Sequence, residues 1–271
     1  MEKNSAYWEK RIAENTWKTY NSLEDRNRDL IDFYMKASEK IRTQLYWFAE
    51  QMERDGVLSR TEMYDQQRLQ KLEKKYREIA YTLGKQVEEV TVQNMQEGFE
   101  EVYKNIAVSM ADIDYTMPNK KLMEKLMNEP WRGSCFSSRL WKNQKNLEKG
   151  LNDILRTGLQ QGKSVTGIAV NLHNYVGENF NVCHRLVRTE TMHYLNSATI
   201  QRYKDAGVNY VQIWAAEDER TCDTCKKFHG KIYRIDECPI LPLHANCRCT
   251  IIPCFDKRLI SQYEKNRGNN S

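Results

Sequence analysis

The sequence predicts a mainly α protein: long N-terminal helices, then a helical region that ends in a small cysteine-rich α+β module. Three observations carry this. Prolines number only 5 in 271 residues, and none precedes Pro118. Leu69, Leu72, Tyr76, Ile79, Leu83, Val87 and Val90 recur at steps of three and four, the spacing of one helix face. Six of the 8 cysteines crowd into residues 222–254, flanked by the short apolar runs K-I-Y-R-I and C-T-I-I-P.

The helical expectation rests on the absence of breakers. Gly56, Gly84 and Gly98 are the glycines before Pro118, and Glu, Lys, Gln and Arg abound, all good helix formers. A first helix carries Tyr7, Trp8, Ile12 and Trp17, with Asn4 and Ser5 as candidate caps. A second spans about residues 22–54, with Ile31, Tyr34, Ile41, Leu45 and Phe48 near one face, and Asp55-Gly56 marks a turn. The periodic stretch resumes at Phe99, Val102 and Ile106 and reads as one long helix packed on another or in a coiled coil. Nine aromatics fall within the first 48 residues. They read as helix-packing anchors or as a docking surface for a protein partner.

Pro118, Pro130 and Gly133-Ser134 mark a boundary. The division is residues 1–128 as a helical region, 129–256 as a second domain with its terminal module at about 208–256, and 257–271 as a flexible polar tail. In the second domain, Leu140, Leu147, Leu151, Ile154 and Leu155 read as a helix broken by Gly158 and Gly162. Ser164 caps another, and a longer one from about Phe180 to Ala206 stops at Gly207. V-Q-I-W-A then alternates like a strand.

In the terminal module Cys222 and Cys225 form a C-x-x-C pair, and His244, Cys247 and Cys249 follow about twenty residues later. Two close pairs from separate turns present a tetrahedral set of soft ligands. Zinc suits sulfur and imidazole without redox chemistry, so the module reads as a small α+β zinc-binding one. Five candidates compete for four positions: Cys222, Cys225, His244 and either Cys247 or Cys249. A closed set is structural, contributing much of the about 10–16 kcal/mol seen for zinc-finger peptides. A catalytic zinc keeps a position open.

Composition excludes several classes. There is no run of about twenty apolar residues, as a membrane span needs, and the N-terminus M-E-K-N-S-A-Y-W-E-K has no apolar core of a secretory signal. Clustered cysteines without such a signal favour metal in a reducing cytoplasm over disulfides. The net charge of +5 is mild. Residues 217–256 hold six Arg or Lys against seven Asp or Glu, too near neutral for a DNA-binding module. The tail, with Lys257, Arg258, Lys265 and Arg267, allows a weak DNA contact.

Other candidates for chemistry are thin. Arg188 and Glu190 are two apart on a helix and so do not face each other; each can reach a partner in the zinc module. The E-x-E at Glu217–Glu219 lacks the Ser-Thr-Ser-like strand that ADP-ribosyl transfer uses. Cys238 and Cys254 flank the ligand set as possible substitutes. An enzymatic alternative is a zinc-dependent hydrolase or nuclease, with His244 or His229 activating water and Glu190 or Asp218 assisting.

The order R-T-E-T at 188–191, N-S-A at 196–198, Gly207, Trp214, Asp218, R-T-C-x-x-C at 220–225, Gly230, P-L-H-A-N-C-R-C at 242–249 and Pro253 resembles the minor head proteins of tailed bacteriophages, the head-morphogenesis proteins of the phage Mu F-like type. The resemblance covers about residues 145–255. The start A-Y-W-E-K-R at 6–11 is similar to minor head proteins of phages of Gram-positive hosts. The resemblance implies a non-enzymatic structural protein present in few copies, acting at the portal vertex and entering the prohead during assembly. Its implied partner is the portal protein, with scaffold, major capsid protein and packaged DNA as secondary contacts. It places the metal site at Cys222, Cys225, His244, Cys247 and Cys249, and a structural signature at Arg188, Glu190, Trp214 and Asp218. Some family members carry an added C-terminal toxin or transferase domain; the short stretch after Pro253 leads us to expect none here.

Overall fold

The computed structural model describes residues 2–54, 66–112, 114–216, 218, 219 and 221–268. The predicted Asp55-Gly56 turn, Glu217 and Arg220 lie outside the described residues. The protein is mainly helical with one small sheet. In order come α1 (Glu2–Trp8), a π-helical turn (Glu9–Ala13), α2 (Glu14–Arg28), α3 (Leu30–Arg54), α4 (Gln66–Ser109), α5 (Lys120–Asn128), α6 (Phe136–Gln160) and α7 (Val165–Asp205). Then follow β1 (Tyr210–Trp214), α8 (Asp223–Phe228), β2 (Ile232–Arg234), β3 (Thr250–Pro253) and α9 (Lys257–Gly268). No helix among the described residues is long and apolar enough to cross a membrane.

The chain divides into two compact units that do not follow the linear split at 128. One comprises residues 1–26, 92–129 and 187–271, the other residues 27–91 and 130–186. The difference arises because α4 and α7 are long enough to supply residues to both units.

The second unit is helical. Leu72, Tyr76, Leu83 and Val87 of α4 are buried, as are Tyr34, Ile41, Leu45 and Phe48 of α3 and Leu140, Leu147, Leu151 and Leu155 of α6. The predicted helix over 22–54 is instead two, because a turn at Asp29 ends α2 and starts α3. That turn directs Leu30 into the core and leaves Ile31 at 43% exposure. Gly158 does not break α6. A Cβ there would lie 2.6 Å from Ile168 Cγ1, so the glycine lets α7 approach within the helix. Gly162 (φ +67°) makes the turn that follows, and Ser164 Oγ caps α7 by accepting from Gly167 N at 3.1 Å. From that cap α7 runs unbroken to Asp205, and Gly207 (φ +69°) closes it with Val208 N donating to Tyr203 O at 2.9 Å.

The first unit is built on an antiparallel sheet in the order β2-β1-β3. Val211 pairs with Tyr233 on one side and Pro253 on the other; Ile213 pairs with Ile251. The π-helical turn packs against β3 and buries Ile12 and Ala13. Asn4 and Ser5 lie inside α1 rather than capping it, and Ser5 Oγ donates to Gln212 Oε1 at 3.0 Å. Trp17 is not a free docking ring, because its indole N–H donates to Arg248 O at 2.9 Å. Trp8 packs on Phe255 at 5.6 Å. In the other unit Trp47 is 57% exposed.

The tail expected to be flexible is helical over Lys257–Gly268. Asp256 starts it by accepting from Arg258 N at 2.8 Å. Tyr210 OH donates to Glu264 Oε1 at 2.7 Å, and Arg267 pairs with Glu237. These tertiary bonds hold a segment whose polar composition alone favours no core packing.

Candidate metal centre

The C-x-x-C pair forms the start of a short helix. Cys222 is the N-cap of α8, with Sγ accepting from Cys225 N at 3.4 Å and its carbonyl accepting from Lys226 N at 3.0 Å. One helical turn therefore places the Cys222 and Cys225 sulfurs side by side. The second ligand run is a tight turn in which Cys247 N donates to His244 O at 3.2 Å. Asn246 sits at its corner in the left-handed region (φ +61°), which asparagine tolerates better than most residues.

The two turns meet. His244 Nε2 lies 3.1 Å from both Cys222 Sγ and Cys225 Sγ, and Cys225 Sγ lies 3.6 Å from Cys247 Sγ. Two overlapping triads result, Cys222–Cys225–His244 and Cys225–Cys247–Cys249, the ligand atoms of each within 4.8 Å of one another. Cys225, Cys247 and Cys249 are buried.

The donor set fits a soft or borderline metal ion. Two sulfurs on one tetrahedral ion at about 2.3 Å lie about 3.7 Å apart, close to the Cys225–Cys247 separation. His244 Nδ1 donates to Ala245 O at 2.8 Å. That bond fixes the tautomer and leaves the Nε2 lone pair facing the sulfurs, as ligating histidines are commonly held. The Cys249 thiol hydrogen-bonds Cys247 and holds the Cys247 thiol down at about 5; the same contact and burial push Cys249 up. The Cys225 N–H lowers the Cys222 thiol, while burial pushes Cys225 up to about 12.

One face of α7 holds the second turn. Thr189 Oγ1 accepts from Asn246 N at 3.1 Å, and His193 Nδ1 donates to Leu241 O at 2.7 Å. Asn196 Nδ2 donates to Cys249 O at 3.0 Å, and Tyr203 OH to Ile251 O at 3.1 Å. Positions 189, 193, 196 and 203 share a face at helical periodicity. The sequence runs R-T-E-T and N-S-A contain Thr189 and Asn196, but sequence reasoning gave none of the four this role; the available signal was a polar set at steps of four, three and seven beside the cysteine run.

The four signature residues separate. Arg188 pairs not with the module but with α2: Glu24 Oε1 is at 3.3 Å, and Arg188 Nε donates to Tyr20 OH at 3.2 Å. The neighbour Thr189 reaches the module instead. Glu190 is buried on α7 at 4% exposure. Asp218 takes Arg248 through both oxygens, at 2.6 and 2.5 Å, and so ties the strand exit to the ligand turn. The Trp214 ring lies 4.2 Å from the His229 ring, whose Nδ1 accepts from Ala215 N at 3.3 Å. His229, Cys238 and Cys254 fall outside both triads among the described residues. Cys254 instead donates its backbone N–H to Tyr210 O at 2.8 Å.

Comparison with known proteins gives two findings. Residues 149–252 match the family model described as Phage Mu protein F like protein. An NAD(+)--arginine ADP-ribosyltransferase, EFV, of Enterococcus faecalis (strain ATCC 700802 / V583) is 30% identical to the chain over 173 residues, 56% of this chain and 34% of that protein. The chain thus spans about a third of the length of this curated relative. No solved structure matches. Residues 149–252, which include α7, the sheet up to Ile252 and all five candidate ligands, are thus similar to the phage Mu protein F-like family.

Proposed function

We propose that this protein is a minor head protein of a tailed bacteriophage or prophage, acting at the portal vertex during head assembly. In this reading Cys222, Cys225, His244 and Cys247 hold one structural zinc ion. The observation that carries the reading is the family match, which spans the complete ligand set and the α7 face that grips it. Three sulfurs and one imidazole suit zinc in a closed site. Cys247 takes the fourth position over Cys249 because its sulfur lies 3.6 Å from that of Cys225. The metal would cross-link the two turns, stabilising a module too small for a large core.

The partner is the portal protein, with scaffold or major capsid protein as further contacts. The protein resides in the host cytoplasm during assembly and in the head interior afterwards, with a role in DNA retention or delivery. Trp47, exposed on α3, is the docking ring; Trp17 is engaged internally. A zinc hydrolase draws no support from the site, since His229 Nδ1 is occupied by Ala215 N and the ring lies against Trp214. The transferase activity in the relative's name belongs to a protein of which this chain covers 34%, and no residue here gains a catalytic role from it.

Co-expression with the portal protein of the same genome, only the portal being tagged, tests the reading. Stable co-elution at moderate salt, weakened in Trp47→Ala, is expected. No co-elution, with both proteins folded and this one carrying zinc, overturns it.

A further inference from the structure

The second unit carries a feature that the portal contact does not use. Lys142, Lys145, Lys149 and Arg156 of α6 are all exposed. At about 100° per residue they fall within about 60° of one another, in a row roughly 21 Å long. Arg77 and Tyr81 of α4 line a groove with Lys142 and Lys145, and Lys145, Lys149 and Arg156 line its continuation along α6. The carboxylates nearby are largely taken: Glu148 by Arg77 at 2.7 Å and Glu73 by Arg156 at 2.5 Å. Lys142, Lys145 and Lys149 remain against Asp153, and none of the three has an ion-pair partner among the described residues. Like charges three and four apart on a helix repel, at about 0.2–0.5 kcal/mol per pair. A polyanion laid along the row would relieve that repulsion. On the α4 side, Tyr81 is 52% exposed, lies 5.3 Å from the Trp141 ring and has Lys85 above it at 5.3 Å.

We infer that the α4–α6 groove binds the phosphate backbone of a nucleic acid. The two arginines, whose planar forks recognise carboxylates, are consumed by Glu148 and Glu73. The cations left free are lysines, point charges that read a regular line of phosphates without reading sequence. Repeated at axial intervals of about 4.5 and 6 Å on a rigid helix, they suit a periodic polyanion better than an irregular acidic peptide. The tail, where the sequence allowed a DNA contact, is a poorer candidate because Arg267 is bound to Glu237. Arg77, Lys142 and Lys145 lie outside the family match, and Lys149 and Arg156 inside it; the test reads binding to nucleic acid and not to the portal, so its failure leaves the portal reading standing.

The test is fluorescence anisotropy of the full chain with a labelled duplex and a labelled single strand of random sequence, titrated between about 50 and 200 mM salt. The variant K142A/K145A/K149A is expected to lower the slope of log K against log salt by about 2.7 for the duplex or about 2 for the single strand. The ratio of the two probes distinguishes duplex from single strand as the ligand. K120A/K121A/K125A, which removes the same charge from exposed positions of α5, is expected to leave the slope unchanged. Equal losses in both triple variants would overturn the inference, as would the absence of salt-dependent binding by the unaltered chain. Competition by polyglutamate as strong as by the oligonucleotide would assign the groove to an acidic protein instead. Circular dichroism of each variant controls for folding.

Discussion

Gly98→Ala isolates how tightly α4 is packed in the first unit. In an open stretch of helix, glycine to alanine stabilises by about 0.8–1 kcal/mol. At Gly98 the added Cβ would lie 2.5 Å from Leu23 Cδ1 and 2.9 Å from Leu195 Cδ2. Both leucines are essentially fully buried, at 1% and 0% exposure, so neither can swing into solvent. Overpacking of this kind costs about 1–3 kcal/mol. The net is a loss of about 1 kcal/mol, opposite in sign to the propensity gain. Gly177 on α7 is the control, since a Cβ there meets nothing within 4 Å, and Gly177→Ala is expected to gain up to about 1 kcal/mol. Thermal unfolding followed by helical circular dichroism reads both, at about 2–4 °C per kcal/mol for a chain of this size class. A higher Tm for Gly98→Ala, matching that of Gly177→Ala, would refute close packing of α2, α4 and α7 at this point.

Three further predictions concern the grip on the cysteine- and histidine-bearing turns. Asn196→Ala leaves the Cys249 carbonyl without its α7 donor and is expected to cost about 2 kcal/mol, read by urea unfolding. Asn246→Val, forced to φ +61°, is expected to cost about 1–2 kcal/mol, whereas Asn246→Gly stays near neutral; equal Tm values would contradict the left-handed corner. Trp17→Phe removes the bond to Arg248 O and is expected to lose about 1 kcal/mol. Trp47→Phe, at an exposed position, is expected to stay within about 0.5 kcal/mol of the unaltered chain in the same denaturant titration.

Much of the fold was legible because its signals are local. The stripe through Leu72, Tyr76, Leu83 and Val87 marks α4, and the alternation around Val211–Trp214 marks β1. The meeting of Cys222, Cys225 and His244 was legible from spacing, because a C-x-x-C can cap a single helical turn. What escaped depends on contacts distant in sequence. Gly158 reads as a breaker until Ile168 is seen packed against it. The helix at 257–268 reads as loose until Tyr210 and Glu237 are found holding it. The split of α2 from α3 has no glycine or proline to announce it, and the π-helical turn at Glu9–Ala13 has no residue signature. A linear reading also does not show that α4 and α7 each supply residues to two units. The Arg188 partner was placed wrongly because periodicity says which face a residue occupies, not which element covers it; Glu24 and Tyr20 of α2 do.

The most direct test of the metal centre is the zinc content of the purified full chain, measured by inductively coupled plasma mass spectrometry. One zinc per chain is expected, kept in Cys249→Ser and lost or strongly reduced in Cys222→Ser, Cys225→Ser and Cys247→Ser. A chain that folds with no metal, or one that loses zinc only in Cys249→Ser, would contradict the ligand assignment and the staple that depends on it.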